Sequence, residues 1–143
     1  MKRLVLAVLI LVAFFSCSNN MQEEVLTRHE DGSRKEVRYY VKNDDGSRNY
    51  VRETWYYMEG MKHLDGPIVD GKRNGVFETY YKSGALMSKG TFVDGIREGE
   101  AFTYYENGNV KYQGSYVNGK ECGIWKFYEE NGELDKEVNR DLR

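Results

Sequence analysis

Glycine returns every 24 residues in interleaved columns: Gly60, Gly84, Gly108 and Gly132, then Gly71, Gly95 and Gly119, then Gly75, Gly99 and Gly123. The chain is a tandem array. Tyr56, Tyr80, Tyr104 and Tyr128 keep the same step, and Leu86, Val110 and Leu134 form an aliphatic column beside them. A fixed period of this length indicates units that bury their apolar surface only by stacking on neighbours, which disfavours an enzyme built around one enclosed site.

The local chemistry of each unit is that of a β-hairpin. Asp70-Gly71, Asp94-Gly95, Asn107-Gly108, Asn118-Gly119 and Asn131-Gly132 accept positive φ, as tight hairpins require. Between them lie aromatic and β-branched runs too short for ordinary helices, such as Val76 to Tyr81 and Leu86 to Val93. Side chains alternate along a strand, so Phe77, Thr79 and Tyr81 share one face while Val76, Glu78 and Tyr80 share the other. The predicted fold is all-β: an elongated single-layer antiparallel sheet of stacked 24-residue hairpins. With strands ~4.8 Å apart, the sheet would grow by ~10 Å per unit.

Gly75 to Tyr81, Gly123 to Tyr128 and the intervening Tyr116-Val117-Asn118-Gly119-Lys120 resemble MORN repeats of the bacterial variant form. The resemblance covers residues 54–134. It implies an elongated, twisted sheet of stacked hairpins that serves as an interaction or scaffolding module; some members are linked to lipid binding, and bacterial variants are sometimes labelled antitoxin-like. Ala101 departs from the pattern, taking the column of Phe77 and Trp125 with Phe102 next to it.

Upstream of the strict array, residues 26–53 read as a degenerate first repeat with Asp-Gly-Ser-Arg turns at Asp31 and Asp45. Residues 17–25 hold too little apolar material to pack and read as a tether, and residues 135–143 read as a charged tail that protects the open edge. Residues 1–16 read as a signal peptide. Lys2 and Arg3 precede the apolar run Leu4 to Phe15, whose twelve residues would span only ~18 Å as a helix, short of a ~30 Å hydrocarbon core. Phe14-Phe15-Ser16-Cys17 resembles the lipobox of bacterial lipoproteins, which implies a diacylglyceryl thioether on Cys17 and a membrane anchor there. The alternative is cleavage after Ser18, giving a secreted or periplasmic protein.

Cleavage before Cys17 leaves 127 residues with 19 basic and 23 acidic side chains, a net charge of −4. Nucleic acid is a poor partner for such a chain, because Lys72-Arg73 is the longest basic run within the repeats. Besides Cys17 only Cys122 remains; it shares a column with Asn74 and Glu98 and reads as a tolerated surface or half-buried thiol.

Searches for chemistry return little. His29 and His63 lack ligand-spaced neighbours and read as exposed strand or turn residues, so no metal is expected. Asp70 to Tyr81 fails as a calcium loop at Lys72 and Tyr81. The pairs Asp44-Asp45 and Glu129-Glu130 point to opposite faces beside turns, so they read as solvated charge. No catalytic residue and no cofactor is expected. The candidate binding surface is the column Tyr56, Tyr80, Tyr104 and Tyr128, which is either a packing ladder of stacked rings or an exposed strip that docks a protein or carbohydrate.

These readings converge on a non-enzymatic protein of a bacterial envelope, lipid-anchored with the outer membrane favoured, that binds or scaffolds an unknown protein partner. The alternative function is that of an antitoxin-like or immunity protein that neutralises a partner toxin.

Overall fold

The computed structural model describes residues 20–141. Among them there is no helix; eleven strands form one open sheet. In chain order these are β1 (Gln22–Arg28), β2 (Arg34–Lys42), β3 (Arg48–Tyr56), β4 (Lys62–Val69), β5 (Lys72–Arg73), β6 (Gly75–Tyr80), β7 (Leu86–Val93), β8 (Ile96–Tyr104), β9 (Val110–Val117), β10 (Lys120–Tyr128) and β11 (Leu134–Asn139). Neighbours in sequence are neighbours in the sheet, all antiparallel, with the short β5 paired to β4 and β6 continuing the main path.

From β3 onward two kinds of turn alternate along this path. The pairs Asp70-Gly71, Asp94-Gly95 and Asn118-Gly119 have φ of 49° and 76°, 49° and 86°, and 50° and 77°. Both central residues are therefore left-handed, and each two-residue loop matches the twist of its strands. At the other end of the strands the loops are longer: Gly84 N–H donates to the Tyr81 carbonyl and Tyr81 N–H to the Ala85 carbonyl, both at 2.9 Å. Only the glycine is left-handed there. Asn107 and Asn131, expected to take positive φ like Asn118, do not; their side chains instead accept the N–H two residues on, at 2.9 Å in each case. Asp31 and Asp45 do the same for Ser33 and Ser47.

The array is longer than its strict period. Gln22 to Val25, expected to belong to the tether of residues 17–25, lie in β1 and pair with Tyr40 to Val37. Alternation of Val25 and Val37 against polar neighbours suffices for a ladder because backbone bonds do most of the pairing. The tail expected over 135–143 likewise begins as a strand, with Val138 opposite Trp125 and Lys126 bonded to Glu137 at 3.0 Å. Its charge marks the outermost strand of the sheet. The region 26–53 contributes the end of β1, all of β2 and most of β3 joined by two of the longer loops, so it lacks the two-residue turn of the later units. Residues 1–19, including the expected signal peptide and Cys17, lie outside the described residues.

A single-layer sheet has no second layer to cover it, and its core is correspondingly thin. The buried apolar side chains among the described residues are Val37, Tyr40, Ile68, Phe77, Ala101 and Trp125.

Candidate binding surface

Cross-strand register lines up one row across the sheet: Arg38, Glu53, Gly66, Phe77, Gly90, Ala101, Gly114, Trp125 and Val138. Residues directly opposite in a ladder point to the same face, so this row defines what we call the glycine face. From Gly66 onward, glycine alternates with Phe77, Ala101 and Trp125 along it. A Cβ on Gly66 would collide with the Phe77 ring and one on Gly114 with the Trp125 indole, so each ring lies flat on the bare backbone of the strand before it. Gly66, Gly90 and Gly114 form a further 24-residue column; as strand glycines they carry no turn signature, although the spacing itself is visible.

A second row on the same face stacks cations between rings. The Arg73 guanidinium lies 5.0 Å from the Phe77 ring centre and 5.8 Å from that of Phe92, and Arg97 lies 5.3 Å from Phe92 and 5.3 Å from Tyr116. Tyr116 meets Trp125 edge-on at 5.3 Å. Arg73 also bonds the buried Glu53 carboxylate at 2.7 Å, and Trp55 Nε1 donates to the same oxygen at 2.8 Å. Each guanidinium thus fills space and orients the rings, at about 0.5–2 kcal/mol per contact.

The four predicted tyrosines lie on the opposite face, which we call the tyrosine face, and all are half-buried. Tyr80, Tyr104 and Tyr128 stand directly opposite Leu86, Val110 and Leu134, so the two columns read from the sequence are cross-strand partners. No close ring pair joins any two of the four. Three of the rings have other partners: Tyr56 a 2.9 Å bond to the Tyr39 hydroxyl, Tyr80 a 2.6 Å bond to Glu78, and Tyr104 stacking on Phe102 at 6.3 Å. Successive copies are separated by an intervening strand, which explains why they do not stack on one another. Burial, then the bond to Glu78, pushes the Tyr80 hydroxyl up to about 12.

The next column, Tyr57, Tyr81 and Tyr105, carries the contact between repeats. Their hydroxyls donate to the backbone carbonyls of Tyr80, Tyr104 and Tyr128 at 2.9, 2.7 and 2.9 Å. In the first repeat His29 Nε2 meets the Tyr56 carbonyl at 2.9 Å, so the histidine expected to be an exposed strand or turn residue holds the same place. His63 packs on Tyr57 with ring centres 4.7 Å apart. Cys122 is half-buried beside the Ser115 carbonyl at 3.5 Å.

Asp65 anchors the early repeats on the tyrosine face. It is 4% exposed and receives Arg52 through both carboxylate oxygens at 2.7 and 2.6 Å, Lys62 at 2.8 Å and Thr54 at 2.9 Å. Burial opposes ionisation, but these bonds outweigh it and hold the carboxyl below its ordinary range.

The family model described as MORN repeat variant matches residues 73–94, 97–118 and 121–141. The matches start at the same point of successive 24-residue units, so the model matches three consecutive repeats of this chain. Among solved structures the chain is similar to an S. aureus TarM mutant in complex with fondaparinux, alpha-GlcNAc-glycerol and UDP, at 17% identity over 85% of this chain and 20% of that one, with a TM-score of 0.36. A second TarM crystal structure matches at 17% identity over 86% of this chain and 22% of that one, with a TM-score of 0.33. The chain spans about one fifth of the length of either, and likeness at this level bears on neither fold nor activity. No curated protein matches the chain.

Proposed function

We propose that this chain is a non-enzymatic binding or scaffolding module of a bacterial envelope, anchored through a diacylglyceryl group on Cys17, whose sheet receives a protein partner across several repeats. One observation carries the reading: the tyrosine face bears an exposed aliphatic strip that crosses repeat boundaries. Val69, Val93 and Val117 form a 24-residue column, 51%, 48% and 50% exposed, with Ile96, Val76 and Ile124 beside them at 49%, 50% and 54%. Solvent-facing strand positions would ordinarily be polar, and six exposed aliphatic side chains on one face of successive repeats suit a protein interface. The column Tyr80, Tyr104 and Tyr128 shares that face and adds amphipathic rings with fixed rotamers.

The test is capture from native envelope of a partner that wild type binds, followed by its affinity for Val93→Asp, Val117→Asp and Tyr80→Ala, each first shown to be folded. Losses in at least two repeats are expected. Undiminished binding by all three variants would overturn the reading. Anchoring has a separate test, since a diacylated chain holds to membranes while a chain without its acyl groups does not. Cys17→Ala is expected in the soluble fraction; an intact mass beginning at an unmodified Asn19 contradicts the anchor.

A further inference from the structure

On the glycine face one arrangement occurs three times and is completed twice. Gly66 carries the Phe77 ring on its bare backbone and Gly114 carries the Trp125 indole, so a Cβ on either glycine would overlap the ring. Gly90 is the copy between them, and the residue opposite it is Ala101. No ring fills its slot. A Cβ built there meets only the Ala101 Cβ at 3.6 Å and the Arg97 Nη1 at 3.9 Å, both ordinary van der Waals contacts. Beside it opens a hollow of about 150 Å³, walled by Met87, Ala101, Thr103, Tyr112, Tyr116 and Trp125.

The completed copies show what the slot takes. In the first, the Arg73 guanidinium lies 5.0 Å from the Phe77 ring centre, so the ring sits between a cation and the bare backbone of Gly66. Arg97 is the same column one repeat on; it is exposed and stands over the Gly90 slot with alanine, not a ring, in the place of Phe77. Its present ring partners, Phe92 and Tyr116, belong to the strands on either side, β7 and β9. Platform and cation are therefore in place without the ring. We propose that the slot over Gly90 and Ala101 receives an aromatic side chain of a partner polypeptide, lying flat on the Gly90 backbone beneath the Arg97 guanidinium. A ring suits it better than an aliphatic chain, because a flat π face meets bare peptide on one side and a cation on the other. A cavity of about 150 Å³ takes up benzene, whereas small-molecule pockets begin near roughly 300 Å³, so the site holds one ring and the rest of the ligand lies outside it. That makes the ring the anchor of a larger ligand, as a few buried aromatics are in protein interfaces. The site lies on the face opposite the exposed aliphatic side chains, so it goes beyond the binding reading above.

Ring-current shifts in an NMR spectrum read the site directly, because a ring lying on Gly90 moves the Gly90 α-protons and the Ala101 methyl upfield. The full chain in detergent micelles would be titrated with acetyl-Ala-Ala-Phe-Ala-Ala-amide, with its leucine analogue as competitor and toluene as the free ring. The phenylalanine peptide is expected to shift both signals, excess leucine peptide to leave the shift in place, and toluene to act more weakly. Gly90→Ala, whose Cβ has ordinary contacts in the free chain, puts that atom where the ring must lie. It is expected to stay as stable as wild type and to lose the shift at Ala101. Ala101→Phe supplies the ring from within the chain, so its Gly90 α-protons are expected upfield before any peptide is added and unmoved afterwards. Arg97→Gln is expected to weaken binding about twofold to thirtyfold, the loss of one cation–π contact. Val93→Asp, on the other face, is expected to change nothing here, which keeps this test separate from that of the aliphatic side chains. No shift with the phenylalanine peptide, or an equal shift in Gly90→Ala, would overturn the site. Reversal by the leucine peptide would overturn the aromatic ligand, and toluene acting as well as the peptide would overturn the polypeptide.

Discussion

Tyr81 donates its hydroxyl to the backbone carbonyl of Tyr104 at 2.7 Å, and the same bond recurs one repeat either side, from Tyr57 to Tyr80 and from Tyr105 to Tyr128. A second periodic bond accompanies it at the other end of the strands, from Gly95 N–H to the Arg73 carbonyl and from Gly119 N–H to the Arg97 carbonyl, at 2.8 and 2.9 Å. Each repeat is thus tied to the next at both margins of the sheet. In a linear array such interface bonds set how cooperatively the units melt.

Tyr81→Phe keeps the ring and removes only that bond, leaving a half-buried carbonyl without its donor. The expected loss is about 0.5–1.5 kcal/mol in urea unfolding. Tyr81→Phe combined with Tyr105→Phe is expected to lose roughly the sum, with a broadened transition as the repeats uncouple. A double variant that unfolds as sharply and as late as wild type would show that the ladder alone transmits cooperativity.

The glycine row separates two substitutions that look identical in sequence. Gly90 and Gly114 both have extended backbone in strand interiors, but a Cβ at Gly114 meets the indole of Trp125 while one at Gly90 would stand 3.6 Å from the Ala101 Cβ, an ordinary contact. Gly114→Ala is expected to destabilise by about 1–3 kcal/mol through forced displacement of the ring. Gly90→Ala is expected to be neutral or to stabilise by up to about 1 kcal/mol, because alanine restricts the unfolded chain. Melting temperatures in the reverse order would refute the flat packing of Trp125 on Gly114.

The difference between those two positions also shows what the linear sequence carries and what it leaves out. The column of Gly71, Gly95 and Gly119 is legible because Asp or Asn precedes each glycine and a two-residue loop has few chemical solutions. Gly66, Gly90 and Gly114 keep the same period, yet their purpose depends on which residue the next strand places opposite, and register is set by the whole hairpin. The Asn-Gly pairs at Asn107 and Asn131 mislead for a similar reason. An extra loop residue converts the turn, and the asparagine then works through its side chain rather than its backbone. The tyrosine column is visible in the spacing, but the partners that hold Tyr56, Tyr80 and Tyr104 are not. Nor could spacing alone bring Arg73 to Glu53, since they are neighbours only after the strands pair.

Asp65 predicts an acid-side dependence. Its folded-state carboxyl lies below the ordinary 3.8. The unfolded chain therefore takes up the proton first, and the stabilisation is fully present above about pH 4 and lost as pH falls through the lower folded value. Arg52→Ala removes two of the four bonds to a buried carboxylate and is expected to cost about 2–3 kcal/mol at pH 7, a cost that shrinks as pH falls and the carboxyl protonates. Equal destabilisation at pH 7 and pH 2.5 would assign the role of Arg52 to packing rather than to charge.

Tyr80 makes the opposite prediction on the alkaline side. Its hydroxyl is raised from 10.0 to about 12, first by burial and then by the bond it donates to Glu78. A folded value above the unfolded one means that the stabilisation is fully present below about pH 10 and disappears as pH rises through 12. Ultraviolet titration at the phenolate band is expected to show a late-ionising class containing Tyr80 and also Tyr39, which burial followed by its bond to Tyr56 raises to about 12. In Glu78→Gln the acceptor remains but its charge is gone, so part of the late class should move towards 10 while the circular dichroism spectrum stays all-β. Tyr80→Phe should remove one phenol from that class altogether. If the class keeps its size and midpoint in both variants, the Tyr80 hydroxyl faces water, and the tyrosine face presents polar tips to a partner instead of rings whose hydroxyls are already satisfied within the sheet.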